Sequence, residues 1–247
     1  MSNRDDRPRL RLYVEAPLAE GADVALARPQ VHYLATVMRA RPGESVVLFN
    51  GRDGEWLARL AVLSRHEAVA RPDSQIRPQT PEPDLWLLAA PIKRARIDWV
   101  AEKATELGVS RLWPVITRRT QAERVNLDRL HAHMVEAAEQ CERLSLPELA
   151  EPTALPRILA DWPAERALLF LDESGNGRPL AEAVAGPAAP LAVLVGPEGG
   201  FTPDERDMLA AHPHVRPVTL GPRILRAETA SIAALAVIQA LAGDWRG

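Results

Sequence analysis

The chain is poor in the residues on which several classes of protein depend. One cysteine, Cys141, in 247 residues leaves no internal disulfide framework and no multi-cysteine zinc site. Aromatic residues make up 4% of the chain, so a broad platform for stacking bases is not expected. No apolar run approaches the roughly 20 residues of a membrane-spanning helix. The opening segment MSNRDDRPRL is charged where a signal peptide would be apolar, which makes the cytoplasm the expected location. Fingerprints are missing too. Neither the glycine-rich phosphate loop nor the GxGxxG turn occurs, which disfavours nucleoside triphosphates and dinucleotides. There is no HExxH helix; His131 and His133 lie two apart in a helical pattern and so face differently, while His212 and His214 flank Pro213. No metal site is expected. The absence of a GxSxG elbow leaves a Ser-His-Asp hydrolase unsupported.

What is present is ordinary globular composition, with 47% apolar and 26% charged residues. The net charge of −3 argues against a non-specific polyanion binder, but its distribution is uneven. Residues 1–130 hold 21 Lys and Arg against 17 Asp and Glu, and residues 131–247 hold 9 against 16. A bound polyanion would meet the front half; a solvated charged surface would give the same count.

Four prolines between Arg71 and Pro83 mark the clearest break, read as a connection between a domain over 1–72 and one over 73–247. The first reads as a small β-barrel or sandwich. Leu10, Leu12 and Val14 alternate, Val46–Phe49 is a buried-type strand, and Asn50–Gly54 is a turn into Glu55–Leu63. One short helix is expected around His32–Ala40, stopped by Arg41-Pro42-Gly43. The second part alternates strands and helices, which predicts an α/β domain with a mainly parallel sheet. Its strands are placed at Leu85–Ala90, Arg111–Ile116, Ala167–Asp172, Leu191–Gly196 and Val215–Leu220. Its best helical stripe is Ile97, Val100, Ala101, Ala104 and Leu107, with Gly108 as the stop.

Two strand ends draw attention. Leu191–Val195 runs into Gly196-Pro197-Glu198-Gly199-Gly200-Phe201, then Thr202 as N-cap with Pro203 and Glu205 completing a capping box. Ligands of open α/β sheets bind beyond such strand ends. The second segment is Leu220-Gly221-Pro222-Arg223-Ile224-Leu225-Arg226-Ala227-Glu228-Thr229, which opens a helix apolar on nearly every face. Arg226, Glu228 and Thr229 sit where a helix N-terminus can stabilise charge, although a local Arg–Glu pair would explain the first two equally well. Packing within one subunit or across a dimer would satisfy the apolar helix.

LVGPEGGFTPDE followed by LGPRILRAETA closely resembles the RsmE family of SPOUT-class methyltransferases. Three further stretches agree in order: His32-Tyr33-Leu34 with Val37-Met38-Arg39 and Gly43-Glu44; Lys93 with Glu102–Val109; and Glu139-Gln140-Cys141 with Arg143 and Pro147. The likeness spans residues 10–243, with small departures at Met38 and Asn50. It implies a PUA-like β-barrel that docks RNA, followed by a SPOUT α/β domain with a trefoil knot, in a homodimer. It also implies S-adenosyl-L-methionine as cofactor and methylation of uridine N3 in 16S ribosomal RNA, as a free molecule or within the small subunit. The cofactor residues carried over are Leu171, Glu173, Gly196, Pro197, Glu198, Gly199, Leu220, Gly221, Ile224, Leu225 and Arg226. Arg226 is expected to stabilise negative charge on the base or to orient a phosphate, with Glu228 and Thr229 completing the hydrogen bonding and Glu228 a candidate proton acceptor. RNA docking is expected from Arg39, Arg41, Arg77, Lys93, Arg94, Arg96, Arg118 and Arg119. Two other readings stay open: a SPOUT enzyme acting on a ribose 2′-oxygen or a tRNA base, and a non-catalytic RNA-binding assembly factor.

Overall fold

The computed structural model describes residues 10–121, 124–175, 177–184 and 190–246. It divides into two units, one formed by the residues up to Pro81 with Ala138–Leu146, the other by Glu82–Ala137 and Pro147 onward.

The first unit contains β1 (Arg11–Tyr13), β2 (Val24–Ala25), α1 (Arg28–His32), β3 (Ser45–Phe49), β4 (Glu55–Leu63) and β5 (Ala68–Arg77). They form a five-stranded sheet in the order β1-β3-β4-β5-β2, antiparallel except where β1 runs beside β3. Val46 and Leu48 pack with Leu12, Val24, Leu34 and Leu60 on one face. The alternate residue Phe49 is buried on the other face, with the Arg11 guanidinium 3.6 Å from its ring centroid. Beside it Glu55, 2% exposed, receives Arg11 Nε at 2.6 Å and Arg77 Nε at 2.6 Å. Burial alone would raise the Glu55 carboxyl, but hydrogen bonds from Arg77 and Arg11 outweigh it and hold the group below its usual range. The spare guanidinium N–H groups bind carbonyls of the 138–146 segment: Arg11 those of Ala138 and Arg143, Arg77 that of Glu142.

Two expectations for this region need correction. The helix placed at His32–Ala40 starts earlier, at Arg28, and continues only as a wider π-type turn over Tyr33–Val37. Pro29 fits the first turn, the Gln30 side chain accepts from Ala27 N, and Arg39 ends the run with φ of 52°. The connection expected from Arg71 begins later, because β5 continues to Arg77 and crosses the expected boundary at 72. Pro72 is tolerated there because its carbonyl accepts from Gly21 N, so the proline nitrogen faces away from β4.

The second unit runs β6 (Leu85–Ala89), α2 (Arg94–Glu106), β7 (Arg111–Ile116), α3 (Leu127–Gln140), β8 (Glu148–Leu149), β9 (Thr153–Ala154), α4 (Leu155–Ala160), β10 (Ala167–Leu171), β11 (Arg178–Pro179), α5 (Leu180–Ala183), β12 (Leu191–Val195), α6 (Pro203–Ala211), β13 (Val215–Thr219) and α7 (Ala227–Ala242). The sheet order is β11-β13-β10-β12-β6-β7-β8, all parallel, with β9 beside β7. The five strands expected from sequence appear within one residue at each end. The continuous apolar runs of β6, β10 and β12 follow from burial on both faces, whereas β13 exposes Arg216 and Pro217. Leu87, Leu169 and Val193 face the layer of α2, α5 and α7, while Leu88, Phe170 and Leu194 face that of α4 and α6. Helix α7 buries only Ser231, Ala234, Leu235, Ile238 and Gln239, leaving Leu241 exposed. Among the described residues no helix is long and apolar enough to cross a membrane.

Candidate functional site

Strands β13, β10, β12, β6 and β7 are adjacent and parallel, so their carboxyl ends open on one edge of the sheet. Most expected site residues of the second unit follow one of those ends, while Glu228 and Thr229 lie in the first turn of α7. Leu171 and Glu173 follow β10, Gly196–Gly199 follow β12, and Leu220–Arg226 follow β13. Lys93 and Arg94 follow β6, and Arg118 and Arg119 follow β7. Strand β12 lies between β10 and β6, where the winding of the sheet changes direction, the usual place for a ligand crevice.

The loop after β12 is held from several sides. Thr202 Oγ1 accepts from Glu205 N at 3.3 Å, and Glu205 Oε2 accepts from Thr202 N at 2.9 Å, the expected reciprocal cap. Glu205 is 4% exposed, and its Oε1 accepts from Arg118 N at 2.8 Å, which ties this loop to the one after β7. The Arg119 guanidinium donates to Gly199 O at 2.7 Å. The glycines have reasons of their own. A Cβ on Gly196 would come 2.5 Å from the buried Phe201 ring, whereas one on Gly200 would meet only the exposed, movable end of Glu173, and there the backbone decides. Gly200 has φ of 66°. The protein itself thus requires two of the three glycines, whereas Gly199 is met only by the Arg119 side chain.

Arg96 of α2 stands between two carboxylates: Glu198 Oε1 at 3.6 Å and Glu228 Oε1 at 3.5 Å. The Glu228 side chain is 13% exposed, and its Oε2 is buried with no hydrogen-bond partner. Such an atom costs free energy unless a ligand or water satisfies it. Arg226 is the exposed N-cap of α7, Thr229 is exposed one turn in, and Ile224 is 83% exposed.

The basic residues divide by their surroundings. Lys93 and Arg118 are exposed at the strand ends, and the side chain of Arg94 lies outside the described residues. Arg39 and Arg41 are exposed in the first unit. Arg77 is occupied by Glu55, Arg96 by the two acids and Arg119 by the glycine loop. Sequence reasoning overlooked a pocket of about 490 Å³ beside Glu198, lined by the β6 loop, α2 and the start of α3. It contains Lys93, Arg124 and Arg129 with Asp98, and Arg129 pairs with Asp98. Asp98 and Arg129 stand 31 positions apart with no motif joining them.

A family model described as an RNA methyltransferase domain matches residues 79–239, and one described as an RNA methyltransferase PUA domain matches residues 26–73. The ribosomal RNA small subunit methyltransferase E of Rickettsia conorii is 33% identical over 234 residues, covering 94% of this chain and 95% of that protein. The chain is similar to the crystal structure of a ribosomal RNA small subunit methyltransferase E from Neisseria gonorrhoeae bound to S-adenosyl methionine. The TM-score is 0.86 at 30% identity, over 96% of this chain and 99% of that one. It is also similar to a Legionella pneumophila methyltransferase in complex with bound SAM, with a TM-score of 0.84 at 29% identity over 94% and 97% of the two chains.

Proposed function

The chain belongs to the RNA methyltransferase domain family, and on that premise we propose that it moves a methyl group from S-adenosyl-L-methionine to small-subunit ribosomal RNA, at N3 of a uridine. The observation that carries this reading is the meeting of three loops, after β10, β12 and β13, at the open edge of a sheet whose likeness extends over whole relatives solved with that cofactor. The residues present fit such a guest. Ile224 and the half-buried Leu171, Leu220 and Leu225 offer apolar contact for an adenine, and the acids Glu173 and Glu198, each beside an arginine (Arg206 and Arg96), stand at the same edge. Backbone groups of Gly196, Pro197, Gly199 and Gly221 are the polar contacts we assign to the cofactor.

When bound, S-adenosyl-L-methionine supplies a methyl carbon activated by its positive sulfur. The protein's share is positioning and the handling of one proton. Uracil N3 bears a hydrogen, and its lone pair becomes strongly nucleophilic only as that N–H bond breaks. Glu228 Oε2 is the acceptor in this reading: Arg96 engages the other carboxylate oxygen and leaves this one without a partner. Arg226 stabilises the negative charge that develops on the base, and Thr229 completes the hydrogen bonding. Exposed Arg39, Arg41, Lys93 and Arg118, with Arg94, meet RNA phosphates. Arg119 contributes by holding Gly199. The apolar outer face of α7 supports a homodimer, and the SPOUT knot belongs to the same reading.

The test is incubation of the protein with labelled S-adenosyl-L-methionine and unmethylated small subunits, then mapping of the modified nucleotide. Label on a ribose, or only on free tRNA, would sink the uridine-N3 reading. Arg226→Ala is expected to abolish transfer with cofactor affinity largely kept; normal turnover removes Arg226 from the mechanism.

A further inference from the structure

The pocket beside Glu198 has the make-up of a nucleotide site. Its volume of about 490 Å³ lies within the range of ~300–1,000 Å³ usual for small-ligand sites. Ile92, Ile97, Val125 and Leu130 give it apolar walls, suited to the faces of a base. Gln121 and Asn126 stand at its polar edge; Asn126 Oδ1 accepts from Arg129 N at 3.0 Å, which leaves the Asn126 amide to donate. Its two carboxylates are already engaged, Asp98 by Arg129 and Glu198 by Arg96. Lys93 and Arg124 also line it and have no ion-pair partner among the described residues. A cavity with apolar walls, amide edges and two uncommitted cations matches a base, its hydrogen-bonding edge and a phosphate. Glu198 joins this cavity to the loop after β12, and Arg96 links Glu198 to Glu228.

We propose that this pocket receives the acceptor nucleotide, turned out of its RNA strand, with its base among Ile92, Ile97 and Val125 and its phosphates on Lys93 and Arg124. Enzymes that modify a base must take it out of the stack, and a fitted pocket offsets that cost. The pocket is built from the β6 loop, α2, the segment that leads from β7 into α3 and the start of α3, with Glu198 at its border, whereas the loops assigned to the cofactor follow β10, β12 and β13. The two guests therefore meet beside Glu198, next to the Arg96 guanidinium that also engages Glu228, so that the reacting edge of the base points out of the pocket toward Glu228. The inference rests on the methyl-transfer reading above and adds where the acceptor sits.

The experiment compares wild type, Val125→Trp and Arg124→Glu on unmethylated small subunits, with initial rates and cofactor affinity both measured. Val125→Trp fills the pocket with an indole and is expected to lower kcat/KM for RNA about 100-fold or more. Arg124→Glu is expected to raise KM for RNA about 10-fold, most strongly at low salt. Both should keep cofactor affinity within about twofold of wild type. Wild-type kcat/KM in Val125→Trp with cofactor binding retained overturns the assignment. Should Val125→Trp lose cofactor binding, the exposed position 124 decides instead, and an unchanged KM in Arg124→Glu overturns it. Failure of the wild-type protein to transfer any methyl group would instead bring down the functional reading itself.

Discussion

Glu55 in the first unit and Glu228 in the second are both shielded carboxylates beside arginine, yet their surroundings are opposite in proportion. Glu55 has two arginines, hydrogen bonds of 2.6–2.8 Å, and neighbours whose spare N–H groups are taken up by backbone carbonyls. Around Arg96 the ratio is inverted: one guanidinium faces two carboxylates at 3.5 and 3.6 Å, and Glu228 Oε2 has nothing to accept from. A saturated cluster fixes the 138–146 segment against its sheet and has no capacity left for another molecule. An unsaturated one has an oxygen that can still accept a hydrogen bond from another molecule. Burial and charge type alone do not separate these cases; the count of partners does.

The largest effect is expected at the unsaturated end. Glu228→Gln should lower kcat about 1,000-fold, in keeping with loss of a general base, while leaving the melting temperature unchanged or raised. A large fall in Tm with activity retained would reverse the comparison. At the saturated end, Glu55→Gln strands two arginines and should cost about 3 kcal/mol of stability in denaturant unfolding. The pH dependence has a definite sign. Because the folded Glu55 carboxyl is held below its usual range, its contribution is complete above the ordinary value of 4.5 and is lost as pH falls beneath it. Glu55→Gln should flatten that acid limb of stability; an unaltered limb removes Glu55 as its source. Arg96→Ala is expected to lower kcat about 10-fold, with Arg96→Lys recovering most of it, since the role is to hold Glu228 rather than to react. Equal loss in both variants would mean that the guanidinium itself contacts RNA. The smallest effect is expected from Thr202→Ala, about 1 kcal/mol of stability through loss of the cap, measured by thermal melting.

Much of the second unit was legible in the sequence. Five strands and the α2 stripe follow from apolar periodicity, and the Thr202–Glu205 cap from four consecutive residues, because local steric and hydrogen-bonding rules act at short range. The two-residue strands β8, β9 and β11 were not legible, since two residues have no period. Nor was the extent of β5, where prolines suggested a linker and only the neighbouring strands reveal that Pro72 has room.

The site divides in the same way. Residues at the ends of β10, β12 and β13 could be named in advance because each belongs to a compact segment at a strand terminus. The duties of the arginines could not, because an arginine is defined by what it reaches. Arg77 is spent on Glu55, Arg119 on Gly199 O, and Arg96 on acids 102 and 132 positions away. The pocket of Lys93, Asp98, Arg124 and Arg129 likewise exists only once α2 and α3 are packed.

Sequence by itself determined the α/β alternation, the strand ends and the segments that form the loops, since these depend on residues close in the chain. Tertiary structure decided which of the many arginines are taken up by acids and carbonyls, which glycines the protein itself requires, and which carboxylate oxygen is left without a partner. Those outcomes depend on distances between segments far apart in the chain, which neither composition nor spacing encodes.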